Sequence, residues 1–312
     1  MTTENQIKSD ALEINFELLR TMPLPQYDDD AHKATRGKLL VIAGSQRLPG
    51  PAILAARAAL RAGCGTVRVA APQSLALAIG IAVPELMMIP LPEKDGHISQ
   101  YALPYLQDQI EPCDAVVIGP GLDENSESDA LVSDFLANCP LPAVVDAQAL
   151  CALGEKTKDK ATAPRIFTPH DGEMEKLTGK PLGDDRAKAA KAFAKTRGVT
   201  LVLKARETFI AAPDGPLYIN KAGSRVLGTA GSGDTLAGII GSLLAQKMEA
   251  TAAAIWGVHL HALVGEALEE DMGADGILAG DFVARLPFVL RYARKQAKPL
   301  AGGKRYGLRP AE

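Results

Sequence analysis

Lys38-Leu39-Leu40-Val41-Ile42-Ala43, then Pro51-Ala52-Ile53-Leu54-Ala55-Ala56-Arg57-Ala58-Ala59-Leu60-Arg61-Ala62, then Thr66-Val67-Arg68-Val69-Ala70 decide the fold class. The first run is short, apolar throughout after Lys38, and bounded by Gly37 and Gly44, the pattern of a strand buried on both faces. The second opens on Pro51 and stops at Gly63, the start and stop residues of a helix. The third returns to β-branched residues. Strand, helix and strand in that order make a βαβ unit, whose two strands are parallel.

The same order recurs outward from this unit. Strands are expected near Leu86–Ile89, Ala115–Ile118, Ala143–Val145 and Arg165–Phe167, with helices at Asp129–Ala137 and Ala187–Arg197 between them. The alternation predicts an α/β fold: a mainly parallel sheet between helices, a three-layer sandwich. Thr200–Lys204, Thr208–Ala212 and, after the Asp214-Gly215 turn, Leu217–Asn220 read as a late meander. The last third reads as helices: Thr235 to about Gln246, Ala250–Glu269 and Asp281–Gln296. Residues 1–36 read as an N-terminal helix and polar loop, 37–298 as a single catalytic domain, and 299–312 as a flexible tail.

Composition narrows the function classes. The chain has 312 residues, 47% hydrophobic and 23% charged, ordinary values for a protein with a substantial core. A net charge of −3 and an aromatic content of 4% give no basic face and few stacking platforms, so neither nucleic acid nor a membrane is an expected partner. Met1–Asp10 is polar and lacks the apolar heart of a signal peptide. Cys64, Cys113, Cys139 and Cys151 make no C-x-x-C pair and read as free buried thiols, which fits a cytoplasmic location.

The chemistry is concentrated in Gly228-Thr229-Ala230-Gly231-Ser232-Gly233-Asp234-Thr235-Leu236-Ala237-Gly238. A glycine-rich turn running into a helix gathers backbone N–H groups at the positive end of the helix dipole, which suits phosphate. It is neither a Walker loop, since no Gly-Lys-Ser/Thr follows, nor a Rossmann fingerprint, since Leu236 stands where a third glycine belongs. A carboxylate beside an anion site is unfavourable unless it takes a proton or holds a metal ion, so Asp234 is a helix cap, a catalytic base or a magnesium ligand. Other residues fall just after predicted strands, on the edge where open α/β sheets bind ligands: Gly119-Pro120-Gly121, Asp146, Thr168-Pro169-His170 and Lys204. His259 and His261, two apart on a helix, do not face the same way, and no metal ligands can be named.

Taken together, Lys38–Ser45, Pro49-Gly50, Ile118–Leu122, Val145–Ala147, Thr168–His170, Gly172-Glu173, Leu203-Lys204 and Gly231–Gly238 resemble the ADP/ATP-dependent NAD(P)H-hydrate dehydratases of the ribokinase-like superfamily. The likeness runs from about His32 to Pro287. It implies a lyase that repairs hydrated NADH or NADPH with ADP or ATP and Mg²⁺, with Asp234 as the catalytic base. It also implies that Ala52, Gly121, His170 and Asp234 touch the hydrated dinucleotide. Lys204, Ala205, Arg206, Glu207, Thr208 and Gly233 would meet the adenine nucleotide, and the amides of Gly231, Ser232 and Gly233 would form the anion hole. Many such enzymes are fused to an epimerase; this chain is too short for that, so a separate epimerase is an expected partner, and a homo-oligomer is compatible.

Four positions depart from the family pattern: Ala205 replaces a glycine, Asp171 a proline, Gln148 an Asp or Gly, and Ala34, after His32-Lys33, a glycine. Two other readings stand beside the lyase. One is a kinase of the same superfamily acting on a vitamin precursor or sugar alcohol. The other is a nucleotide-binding protein without turnover.

Overall fold

The computed structural model describes residues 11–27, 33–154 and 163–298. Its strands, in chain order, are β1 (Leu12–Glu13), β2 (Lys38–Ile42), β3 (Thr66–Pro72), β4 (Met87–Leu91), β5 (Glu93–Lys94), β6 (His97–Ile98), β7 (Ala115–Ile118), β8 (Ala143–Val145), β9 (Arg165–Phe167), β10 (Thr200–Leu203), β11 (Thr208–Ala211) and β12 (Leu217–Asn220). Ten of them form one sheet in the order β1-β12-β11-β10-β9-β8-β7-β2-β3-β4, while β5 and β6 make a separate small hairpin. From β10 through β9, β8, β7, β2 and β3 to β4 every neighbour is parallel; β11 pairs antiparallel on both sides. The expected βαβ unit is there, with the helix Gly50–Arg61 between β2 and β3.

The reason for the layers is written in burial. β7, β8, β9 and β10 are buried at every residue, as strands covered on both faces must be. One face packs on the helices Gly50–Arg61, Ser232–Ala245 and Ala250–Met272; the other packs on Leu103–Ile110, Ser126–Asn138 and Arg186–Arg197, giving two hydrophobic cores either side of the sheet. The helix Ser232–Ala245 is buried along nearly its whole length, which explains why its sequence is apolar on every side.

In the described part of the chain before residue 37, the short strand β1 adds to the sheet edge beside β12 and is followed by one helical turn, Phe16–Leu19. Pro23 and Pro25 follow that turn and cannot continue a helix. This segment is stitched to the body: Leu19 is fully buried, the Trp256 indole donates to the Met22 carbonyl, and Arg294 donates to the Pro25 carbonyl. The tail from Pro299 and the side chain of Ala34 lie outside the described residues. Cys64, Cys113 and Cys139 are buried free thiols and Cys151 is partly covered. Among the described residues no helix is long and apolar enough to cross a membrane.

Sheet order also locates the crevice. The strand sequence reverses between β2 and β7, so the loops that leave these two strands part to opposite sides. They stay joined at their roots, where the Gly44 N–H donates to the Pro120 carbonyl.

Candidate active site

The site is built on the carboxyl ends of β7 to β10 and closed by the glycine loop. Asp146 directly follows β8 and is 2% exposed. One oxygen, Oδ1, accepts from the Thr168 hydroxyl at 2.7 Å and from Lys204 Nζ at 2.9 Å. Glu173 stands 3.6 Å from the same ammonium. Burial opposes the charge on Lys204, but Asp146, Glu173 and Asp234 more than offset it, and its pKa is raised. Ala147, next to Asp146, has φ 50 and ψ −128, a conformation costly for a residue with a Cβ. Such strain beside a buried carboxylate is held by the surrounding packing.

The glycine loop enters its helix three residues earlier than the sequence suggests. The helix is Ser232–Ala245 and Gly231 is its cap, at φ 87 and ψ −6. Only glycine fits there: a Cβ would lie 2.7 Å from Leu54 Cδ1 as well as adopting a left-handed backbone. This start bears on the amides expected to form the anion hole. Both Ser232 donors are used, its N–H on the Thr229 carbonyl at 3.0 Å and its hydroxyl on the Leu227 carbonyl at 2.6 Å. The helical amides that position leaves without an intrahelical acceptor are those of Gly233 and Asp234. Gly233 faces Lys204: a Cβ built on it would sit 3.6 Å from Nζ.

Asp234 is half-buried in the first helical turn. Burial is the main cause that pushes its pKa up to about 7, Asp146 and Glu173 add to the rise, and Lys204 opposes it. A carboxylate poised near neutrality is suited to taking and giving a proton.

A cavity of about 830 Å³ opens beside this cluster. His170, Lys204, Ala205, Arg206, Thr208 and Gly233 all line it, so the structure brings most of the sequence-named residues together. Glu207 and Asp234 border the wall without lining it. His170 caps the helix Asp171–Thr178: its Nδ1 accepts the Glu173 N–H and Glu173 accepts the His170 N–H. The signal for this cap was Glu173 itself, three residues on. The cap turns Glu173 inward toward Lys204.

Gly121 and Ala52 lie elsewhere, at the crevice between the β2 and β7 loops. Gly121 has φ 68, and a Cβ there would meet the Leu48 carbonyl at 2.6 Å. Ala52 is fully buried, packed against Gly44, so it presents no surface and its contribution is to seat the helix Gly50–Arg61 under the loop. The Gln148 departure points away from the cluster, with Nε2 donating to Asp129 at 3.0 Å.

Sequence reasoning left Asp146, Thr168 and Glu173 unpaired because the contacts join the ends of different strands. It also gave His261 no role. His261 is buried and stacked on Phe282 at 5.1 Å, yet it lines the cavity, and its Nε2 is buried without a hydrogen-bond partner. Burial drops its pKa to about 4, so it is neutral. His259 sits apart, bonded to Asn220 Oδ1 at 3.0 Å.

With this geometry in place, the comparison with known proteins is decisive. The sequence profile of NAD(P)H-hydrate dehydratases matches residues 39–287.

The chain belongs to the NAD(P)H-hydrate dehydratase family.

An ADP-dependent (S)-NAD(P)H-hydrate dehydratase of Xanthomonas campestris is 37% identical over 87% of this chain and 93% of its own length. A bifunctional NAD(P)H-hydrate repair enzyme of Moorella thermoacetica is also 37% identical, over 89% of this chain but only 53% of its own. The chain therefore spans about half of the bifunctional relative and nearly all of the shorter one. The crystal structure of the Bacillus subtilis ADP/ATP-dependent NAD(P)H-hydrate dehydratase, obtained with ATP and Mg²⁺, superposes with a TM-score of 0.79 at 30% identity, covering 91% of this chain and 99% of that one. The dehydratase fold is ribokinase-like, as the sequence suggested.

Among the described residues, no three His, Cys, Asp or Glu side chains converge to hold a metal. Asp146 and Glu173, both facing Lys204, instead fit a magnesium ion that arrives on nucleotide phosphates and needs only one or two protein carboxylates.

Proposed function

We propose that this chain dehydrates hydrated NADH or NADPH at the expense of ADP or ATP, with the reaction set around Asp234. The observation that carries this reading is Asp234 itself: a carboxylate with a pKa near 7, one residue past Gly233 on an anion-binding helix start. In the reaction, Asp234 takes the proton of the C6 hydroxyl. That oxygen attacks the terminal phosphoryl group, and AMP or ADP leaves. The C6 phosphate is then expelled by the ring nitrogen lone pair, and loss of a proton from C5 restores the dihydropyridine. Phosphorylation replaces hydroxide, a poor leaving group, with phosphate, a good one.

The chain's own groups serve the moving charge. The Gly233 and Asp234 amides meet the transferring phosphoryl oxygens at the helix start, and Lys204 adds a positive charge beside them. Glu173 and Asp146 would hold magnesium with the phosphates, and that ion supplies charge neutralisation. The nucleotide lies along Lys204–Thr208 in the 830 Å³ cavity, and the hydrated ring reaches Asp234 from the side of Gly121. Residues 37–298 act as one catalytic unit, with 11–27 as a structural strap. The relatives named for the (S) hydrate make an epimerase the expected upstream partner. The composition suits a cytoplasmic enzyme, and self-association is compatible with it.

The test is to incubate the protein with hydrated NADH, Mg²⁺ and either ADP or ATP. Reduced nicotinamide absorbance and free phosphate should appear one for one. Accumulation of a stable phosphorylated alcohol would assign a kinase instead, and nucleotide binding without either product would assign a binding protein.

A further inference from the structure

The loop Lys204–Thr208 is braced from behind by one side chain. Arg186 is the first residue of the helix Arg186–Arg197, capped by Asp185. A cation in the first turn of a helix works against the dipole, where a carboxylate would be favoured. Arg186 resolves this by reaching out of the helix. Its Nε and Nη2 donate to Asp171 Oδ1 at 3.1 and 2.7 Å. Nη2 also donates to the Lys204 carbonyl and Nη1 to the Glu207 carbonyl, each at 3.2 Å. The guanidinium lies 6.0 Å from the centre of the Phe209 ring.

These bonds fix more than position. The Lys204 carbonyl shares a peptide plane with the Ala205 N–H, and the Glu207 carbonyl shares one with the Thr208 N–H. In a planar trans peptide the N–H points opposite the C=O. Drawing both carbonyls toward Arg186 therefore turns both N–H groups away from it. The Thr208 hydroxyl closes the turn on the Ala205 carbonyl at 3.2 Å. Both ends of the loop are tied, and Ala205 and Arg206 between them line the cavity.

We propose that Arg186, anchored by Asp171, is the positioning residue of the nucleotide loop, setting the Ala205 amide toward the bound nucleotide. The inference rests on Lys204–Thr208 being that loop. Two sequence departures meet here. Asp171 stands where the family pattern has proline, which offers no carboxylate, and Ala205 stands where it has glycine. The loop with the added methyl group is the one given the added anchor. Lysine at 186 would not serve, because one ammonium lacks the planar fork that spans two carbonyls and a carboxylate.

The experiment titrates ADP and ATP, with Mg²⁺, into the wild type, Arg186→Gln, Arg186→Lys and Asp171→Asn, alongside melting curves without nucleotide and steady-state kinetics. Both Arg186 variants should weaken nucleotide binding by roughly tenfold, the loss of a charge-assisted hydrogen bond or more. The nucleotide KM should rise in step, kcat should change little, and the melting temperature should stay near that of the wild type. Asp171→Asn should weaken binding less, and should add nothing when Arg186 is already Gln. Asp171 is largely exposed, so Asp171→Asn carries the test if Arg186→Gln does not fold. Nucleotide affinity unchanged in the variants, with only stability lowered, would make Arg186 a plain helix-to-loop staple. Failure of the wild type to bind nucleotide would overturn the reading of the loop itself.

Discussion

Asp146 and Arg206 border one cluster and are built on opposite terms. Asp146 is sealed at the end of a fully buried strand, with two hydrogen bonds to one oxygen, one from the Thr168 hydroxyl and one from the Lys204 ammonium. Arg206 stands exposed in a loop whose conformation depends on a side chain from a different helix. The floor of the site is fixed by the sheet and carries the charges that, after burial itself, shift the pKa of Asp234. The rim is fixed by a few hydrogen bonds and is where the family pattern is broken. Chemistry is therefore expected to be insensitive to rim changes, and nucleotide affinity insensitive to much of the floor.

The largest expected effect is on the floor. Asp234→Asn should keep nucleotide binding and lose about two to four powers of ten in turnover, the range for a general base. The same variant should gain stability. The folded-state pKa of Asp234, about 7, is above the unfolded value of 3.8, so the folded protein holds a proton there that the unfolded chain has lost. Stability falls as pH rises between those two values and is lowest above 7. At pH 8 Asp234→Asn should be more stable by on the order of a few kcal/mol, and the gap should close toward pH 4. Equal melting temperatures at pH 8 would show that Asp234 is not held against its charge.

Asp146→Ala comes next. Removing one partner of a buried pair costs about 3–5 kcal/mol, less here because Lys204 is one-fifth exposed and keeps Glu173. Urea unfolding should show a loss of about 2–3 kcal/mol, with activity falling as well. A stability loss below about 0.5 kcal/mol, the scale of an exposed pair, would mean that the floor is not preorganised.

Changes at the rim should be smaller. His170→Ala should raise the KM for the hydrated dinucleotide more than it slows phosphoryl transfer, and should cost about 1 kcal/mol of stability through the lost cap. If calorimetry finds the dinucleotide affinity unchanged, His170 is a cap only. Ala205→Gly should tighten nucleotide binding by up to about tenfold, roughly 1.4 kcal/mol, and Arg206→Ala should weaken it. Titrations that leave both dissociation constants where they were would detach the rim from the nucleotide.

The same contrast separates what was legible in the sequence from what was not. Buried parallel strands announce themselves as short apolar runs, and β7, β8, β9 and β12 fall on their predicted residues. Strand ends then placed Asp146, His170 and Lys204 on one edge. Long-range pairing leaves no such trace: that Thr168 and Lys204 share one oxygen of Asp146 depends on the lateral order of β8, β9 and β10. The start of the Ser232–Ala245 helix was misplaced because Gly233 lowers helix propensity in the first turn, where dipole and packing override it. The short helix Asp171–Thr178 was missed although its capping box was in view, since histidine is an uncommon cap.

The proposed base is Asp234, held near neutrality by burial and by the neighbouring carboxylates. The pH dependence of kcat/KM for hydrated NADH, at saturating nucleotide and Mg²⁺, tests it most directly. Because the base acts when deprotonated, kcat/KM should rise about tenfold per pH unit below 7 and level above it, and the inflection should vanish in the residual activity of Asp234→Asn. A profile flat from pH 5.5 to about 8.5, or the same inflection persisting in Asp234→Asn, would contradict it.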